Sequence, residues 1–351
     1  MSVRTALLAV IAGLSLAVGG ESTGQIAKSS PVSTGPINSV IAGDIVPVHD
    51  PVLVKEKSTY YVFSTGIGPD THDTIAVRTS PDLIHWTAKG GLFDKLPGWA
   101  PKAVPGTRGM WAPDMSYWNG QWHLYYAVST FGSNRSAVGL FTSPTLDPTS
   151  PSYRWTDQGQ VVLSTQADDF NAIDPNHVID DQGRHWLALG SFWTGLKLFR
   201  LNPQTGKLLD PAAKPYAIAR RPAPAGAPDP VEAPFIVRHG GYYFLFASYD
   251  YCCKGVNSTY YTVVGRSREI TGPYLGRDGS SMLNGGGTTV LRGDLQEEER
   301  FRGPGHNGFL HDTDRKDYIV YHAYDKQNHG VPTLRISPIR WTADGWPEAV
   351  Q

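Results

Sequence analysis

Three acids, far apart in the chain, carry the first chemical signal. Asp50 stands in His49-Asp50-Pro51, Asp174 in Ile173-Asp174-Pro175, and Glu232 in Val231-Glu232-Ala233-Pro234. Each opens an apolar, strand-like stretch. Two carboxylates flanking one bond can hydrolyse it. One is protonated and donates to the leaving oxygen, and the other is ionised and activates water. A third carboxylate beside the acid raises its pKa, because neighbouring groups ionise together only at a cost. Asp114, in Trp111-Ala112-Pro113-Asp114, is a fourth acid. With Trp111 as a stacking platform, its segment suits binding more than reaction. Taken singly, each acid is explained as a turn-forming residue at a strand start. Taken together and in register, they read as one site.

Metal-dependent hydrolysis is the competing chemistry. His49, His306 and His322 could ligate an ion, with help from His177 or His329. There is no HExxH or comparable close-spaced ligand set. His306 differs from the others, because it opens a segment as the acids do. It could hold a hard cation such as calcium, directly or through water. No nucleophile elbow, phosphate-binding glycine loop or dinucleotide fingerprint is present.

These residues need a scaffold that gathers them, and the chain supplies one by repetition. Five segments start near His49, Ala112, Asp174, Glu232 and His306. Each has a polar opening residue (Asp50, Asp114, Asp174, Glu232, His306), an apolar strand, a polar turn and an aromatic-rich returning strand. The returns are centred near Phe63, Tyr126, Leu187, Leu245 and Val320. A repeat of roughly sixty residues with short strands reads as one propeller blade. Five fill the chain, so the expected fold is an all-β five-bladed propeller. A β-sandwich also has many short strands, but it does not predict a polar residue opening every repeat. In a propeller, equivalent positions lie at one radius, so the openers converge on the axis.

Composition narrows the partners. The net charge is −1, which leaves no electrostatic case for nucleic acid or an anionic membrane. Charged residues are 18% and aromatic residues 11% of the chain, a balance suited to stacking on neutral sugars. Arg4, the apolar run Ala6 to Val18 and the small Gly19 and Gly20 have the layout of a signal peptide, placed at residues 1–20. Residues 21–40 read as a linker and 41–351 as one catalytic domain. Secretion, no membrane span and a monomer are expected. Cys252 and Cys253 are adjacent. A vicinal disulfide and a buried thiol pair both remain open.

The longest motifs resemble glycoside hydrolase family 43, and within it the endo-1,5-α-L-arabinanases. They are VHDPVLVKEKSTYYVFSTG, GMWAPDMSYWNGQWHLYYAVSTFGSNRSAVGL, NAIDPNHVIDDQGRHWLALGSFWTGLKLFRL, VEAPFIVRHGGYYFLFASYDYCCKGVNSTYY and GPGHNGF. The resemblance implies inverting hydrolysis of linear arabinan and arabino-oligosaccharides. It implies Asp50 as general base, Glu232 as general acid and Asp174 as the residue that tunes and orients the acid. It implies a calcium ion at His306, held largely through water. His49, Trp111, Phe131, Asn171, Ser191 and Phe192 are then expected to border the sugar subsites. An exo-acting arabinofuranosidase or xylosidase of the same fold, and a non-catalytic carbohydrate-binding propeller, are the alternatives.

Overall fold

In the computed structural model of the protein, the residues described are 36–224, 226–293 and 300–350. The expected signal peptide and residues 21–35 of the expected linker lie outside them.

Five antiparallel sheets follow one another along the chain. The first holds β1 (Ala42–Gly43), β2 (His49–Glu56), β3 (Thr59–Thr65), β4 (Ile75–Ser80) and β5 (His85–Gly91). The second holds β6 (Trp111–Trp118), β7 (Gln121–Val128), β8 (Ser136–Ser143) and β9 (Thr156–Ser164). The third holds β10 (Asn176–Ile179), β11 (His185–Leu189), β12 (Leu196–Leu201) and β13 (Tyr216–Ala219). The fourth holds β14 (Val231–His239), β15 (Tyr242–Tyr249), β16 (Tyr261–Ser267) and β17 (Thr288–Leu291). The fifth holds β18 (Phe301–His311), β19 (Asp317–Asp325), β20 (Val331–Trp341) and β21 (Pro347–Ala349). In every sheet consecutive strands are hydrogen-bonded neighbours, apart from β1, which pairs with β5 in parallel. This is the five-bladed propeller that the repeats predict.

Both faces of the middle strands are buried, because each blade packs against the next. That is why the returning strands are rich in aromatic and β-branched residues. Val52, Phe63, Leu124 and Tyr126 form a core joining blades one and two. Tyr125, Leu140, Leu187 and Phe199 join two and three, and Ala188, Leu198, Leu245 and Val263 join three and four. Phe244, Phe246, Ile319 and Tyr321 join four and five. Leu53, Val62, Val320, Leu334 and Ile336 close the ring from five back to one.

The segment before β2 locks that closure. Asn38 donates to Ser337 Oγ at 2.9 Å and accepts from the Ile336 N–H at 2.8 Å. The Val48 N–H donates to Pro332 O, and the Leu334 N–H to Ile45 O, each at 2.9 Å. The folded body therefore reaches back into residues 36–40, which their polar, Pro-containing composition had placed in a linker.

The innermost strands share one irregularity, and it builds the site. In β2 the register passes from His49↔Thr65 to Val52↔Phe63, and in β6 from Trp111↔Ala127 to Asp114↔Tyr125. In β14 it passes from Glu232↔Ser248 to Phe235↔Phe246, and in β18 from Gly305↔His322 to Gly308↔Val320. Each is a bulge, with one more residue on the inner strand than on its partner. The residue after the first paired position has positive φ: Asp50 (54°), Ala112 (46°), Ala233 (55°) and His306 (47°). Asp174 (58°), just before β10, has the same conformation. Left-handed backbone at a non-glycine residue costs on the order of 1–3 kcal/mol and is characteristic of functional sites.

Candidate active site

The bulges correct the sequence register. Asp50, Asp174 and His306 do occupy equivalent positions, and their counterparts in blades two and four are Ala112 and Ala233. Asp114 lies two residues later than that position and Glu232 one residue earlier. Asp114 is turned into a blade interface, where its carboxylate accepts from the His177 N–H at 2.7 Å and from Asn176 Nδ2 at 3.2 Å. Asn176 repeats the device, accepting from the Ile236 N–H at 2.8 Å. Asp114 is thus a clasp between blades two and three, and burial pushes its pKa up to about 6 against the pull of those hydrogen bonds.

The bulged residues are tied to the preceding blade by their own N–H groups. Ala112 donates to Thr65 Oγ1 (2.8 Å), Ala233 to Asp174 Oδ2 (3.1 Å), and His306 to Ser248 Oγ (2.9 Å). Asp50 donates to His322 Nδ1 (3.2 Å). Backbone donors freed by the bulge are satisfied by side chains of the preceding blade. The ring closure and the site geometry are therefore the same set of bonds.

Asp50 is the most heavily bonded acid. His49 Nδ1 lies 2.7 Å and His306 Nδ1 2.9 Å from its Oδ1. The Thr65 hydroxyl donates to its Oδ2 at 2.6 Å. Burial alone would raise its pKa. The charges and hydrogen bonds of His306 and His49 outweigh burial and hold the carboxyl well below the usual range. Asp174 goes the other way. Burial, with the negative charges of Glu232 and Asp50 opposing His306, pushes it well above the usual range. Glu232 is buried, and its Oε2 accepts from the Ser191 hydroxyl at 2.7 Å. Burial would lower the pKa of His306, but Asp50 first, then Asp174 and Glu232, raise it to about 9. Asp50 contacts this imidazole directly, and Asp174 contacts the backbone beside Glu232, so the acids are neighbours through these bonds.

The other expected site residues divide. Trp111 and Phe131 line one cavity of about 320 Å³, together with Gly66, Asp73, Arg108 and Thr130. Phe131 is 85% exposed, so its ring is free to meet a ligand. Phe192 packs with its ring centroid 5.7 Å from that of Tyr251. Asn171 is buried, and its Oδ1 has no hydrogen-bond partner. His49 faces Asp50 and Tyr324 and stacks on His322 with ring centroids 3.8 Å apart. It braces an acid where the sequence places it against sugar. Cys252 and Cys253 are joined as a vicinal disulfide.

Sequence reading missed Thr65, Ser248 and Tyr324. Thr65 and Ser248 each lie at the end of a returning strand, opposite the first residue of the bulge. A small polar residue there looks like an ordinary strand end. Only its recurrence, in Phe-Ser-Thr at 63–65 and Phe-Ala-Ser at 246–248, could have marked it.

Comparison with known proteins agrees with this geometry. The family described as glycosyl hydrolases family 43 matches residues 38–347. The chain is 42% identical over 311 residues to an extracellular exo-α-(1→5)-L-arabinofuranosidase of Cellvibrio japonicus, covering 86% of each chain. It is 42% identical over 301 residues to an extracellular endo-α-(1→5)-L-arabinanase of Bacillus subtilis, covering 86% of this chain and 87% of that one. The solved endo-arabinanase from Bacillus licheniformis superposes with a TM-score of 0.78 at 44% identity, covering 88% of this chain and 99% of that one. The α-L-arabinanase of Cellvibrio cellulosa, solved with arabinohexaose, gives 0.80 at 41%, covering 87% and 96%. With its five blades, its ring of acids and its match along almost the whole folded length, the chain belongs to glycosyl hydrolases family 43.

Proposed function

We propose that the protein is a secreted endo-1,5-α-L-arabinanase. It cleaves α-1,5-L-arabinofuranosidic bonds within linear arabinan and releases arabino-oligosaccharides. One observation carries the reading: neighbouring buried carboxyls are shifted in opposite directions. Asp50 is held ionised by His306 and His49, while Asp174 is pushed toward its protonated form beside Glu232. Carboxyls whose environments separate their pKa values mark the acid and base assignments of a hydrolase.

Asp50 is the general base. It takes a proton from the attacking water, which approaches the anomeric carbon on the face opposite the leaving sugar, so the configuration inverts. Glu232 is the general acid and donates to the leaving oxygen, with Ser191 fixing the orientation of its carboxyl. Asp174, whose pKa is raised by burial and by Glu232, modulates the acid, and its bond to the Ala233 N–H ties it to the backbone next to Glu232. Trp111 and Phe131 offer rings for the apolar faces of arabinose units in the adjoining cavity. Asn171 and Phe192 border the cleft.

Calcium fits at His306. The negative charges of Asp50, Asp174 and Glu232, which raise the pKa of this imidazole, support a positive charge there. A hard cation accepts few protein ligands when water completes its shell. His306 is the residue that would hold it. The ion would supply positive charge that balances the surrounding carboxylates. Secretion rests on the N-terminal layout and on relatives named as extracellular. The chain acts as a monomer.

A second reading, exo-action, is favoured by the Cellvibrio japonicus exo-enzyme, which is as similar as the Bacillus subtilis endo-enzyme. Digestion of linear arabinan separates the two. Endo-action makes viscosity fall before free arabinose accumulates, and inversion appears in the proton NMR of the first-formed products. Arabinose as the sole early product would replace the endo reading with the exo one. A retained anomeric configuration would remove the base assignment of Asp50.

A further inference from the structure

We propose that Tyr324 and the Cys252–Cys253 turn form a positioning arm that aims the base Asp50, acting through His49. The inference rests on the reading of Asp50 as the base. Three short hydrogen bonds form the arm, two of them between groups remote in sequence. The Cys253 N–H donates to Tyr324 Oη at 2.8 Å. Tyr324 Oη lies 2.8 Å from His49 Nε2. His49 Nδ1 lies 2.7 Å from Asp50 Oδ1.

The direction of the chain follows from its last member. An ionised carboxylate can only accept, so the ring proton of His49 sits on Nδ1, facing Asp50, and Nε2 of the neutral ring accepts from the Tyr324 hydroxyl. The Cys253 N–H bonds to the same hydroxyl oxygen and holds it in place against Nε2. The imidazole plane is held as well, by the stack on His322 with ring planes 24° apart.

The disulfide gives this amide its direction. A bond between neighbouring cysteines closes a small ring through the peptide that joins them, so the Cys253 N–H cannot swing freely. Cys253 has φ 65°, in the left-handed region shared with the bulged residues of the site. The same residue's Sγ lies 3.8 Å from His49 Nε2, against the ring edge that the arm controls. The Lys254 N–H donates to Ser258 Oγ at 3.1 Å, which ties the turn to its own loop.

The arm decides which oxygen of the base does the work. A carboxylate has about four acceptor sites. His49 and His306 fill Oδ1, and Thr65 fills one site of Oδ2. The remaining site, on Oδ2, is left for the attacking water. Without His49 the carboxylate can rotate about its last bond, and that aim is lost.

A double-mutant cycle on linear arabinan tests the arm, using Tyr324→Phe, His49→Ala and the pair. Tyr324→Phe lowers kcat about tenfold, with KM within about twofold and Tm little changed. His49→Ala lowers kcat further, and the double variant is no slower than His49→Ala. His49→Asn, whose amide nitrogen takes the place of Nδ1, recovers most of the loss and no longer responds to Tyr324→Phe. Reduction by a dithiol transfers two electrons and two protons to the cysteine sulfurs and forms the dithiol's own disulfide. It slows the wild type and leaves Tyr324→Phe unaffected. Independent, additive losses would overturn the arm. So would losses confined to KM, which mark a sugar contact, or losses confined to Tm, which mark a purely structural role. Asp50→Asn is the separating control. If it retains turnover, the base assignment itself fails, whereas an inactive Asp50→Asn with an additive cycle removes only the arm.

Discussion

His306 and Asp50 form an ion pair at 2.9 Å, although 256 positions separate them in the numbering. The pair joins the inner strand of the last blade to that of the first. It is both the closing contact of the ring and the electrostatic support of the base.

Replacing His306 therefore changes the pH dependence of the reaction. Asp50 is held low chiefly by His306 and then by His49. In His306→Gln the base titrates higher, so the acidic limb of kcat/KM moves to higher pH. The measurement is a pH profile on linear arabinan. An unmoved acidic limb would show that His306 does not set the state of Asp50.

The same pair makes stability fall toward alkaline pH. His306 titrates near 9 in the folded protein, against 6.5 for an ordinary histidine. Its folded pKa is raised, so its contribution is complete below about pH 6.5 and is lost as pH rises through 9. The size is on the order of 3 kcal/mol. Thermal melts from pH 6 to 10 should show Tm falling over that window in wild type. The fall should be shallower in His306→Gln.

Asp50→Asn and Glu232→Gln should each lower kcat by about 10²–10⁴, the usual worth of a positioned acid or base, while arabino-oligosaccharide binding persists. Calorimetric titration with an arabino-oligosaccharide, paired with turnover, checks this. Loss of binding in step with rate would show that these carboxyls hold substrate without acting on it.

Asp114 separates structure from chemistry. Asp114→Ala leaves the buried His177 N–H without its acceptor, at a cost of about 1–3 kcal/mol, and lowers Tm. Activity per folded molecule should be unchanged, because the carboxylate faces a blade interface. Asp114→Asn removes an acid whose folded pKa is raised to about 6. Wild type loses stability as pH rises from about 4 through 6, and the Asn variant should not. A kcat defect in the folded Asn variant would return Asp114 to the catalytic set.

Phe131→Ala should leave Tm unchanged, since the ring is 85% exposed. Loss of one stacking ring, worth about 1 kcal/mol, should raise KM roughly fivefold. An unchanged KM would place the sugar elsewhere.

The blades were legible in the sequence because each returning strand must bury both faces. Tyr125, Tyr126, Phe244 and Phe246 are completely buried and stand out as aromatic pairs. The acids Asp50, Asp174 and Glu232 were legible because each precedes a strand in the same local context. Their relative register was not. A bulge adds one residue to a strand without any mark in its composition. Glu232 and Asp114 were therefore aligned with Asp50, although Ala233 and Ala112 are its structural counterparts. Tyr324 was hidden for a different reason. It looks like a core aromatic of β19, and its bond to His49 spans 275 positions.

The clasp of Asn38 onto Ser337 spans 299 positions. Asn38, among the first of the described residues, can find its partner only after Ser337 has been made. During synthesis, the open edge at each end of the unfinished ring stays uncovered, and β2 lacks its neighbour from blade five. Such long-range closure is slow and leaves incomplete chains prone to stick to one another. A nascent polypeptide of this kind benefits from being kept unfolded until its synthesis is finished, and truncations near its end should be recovered as aggregates.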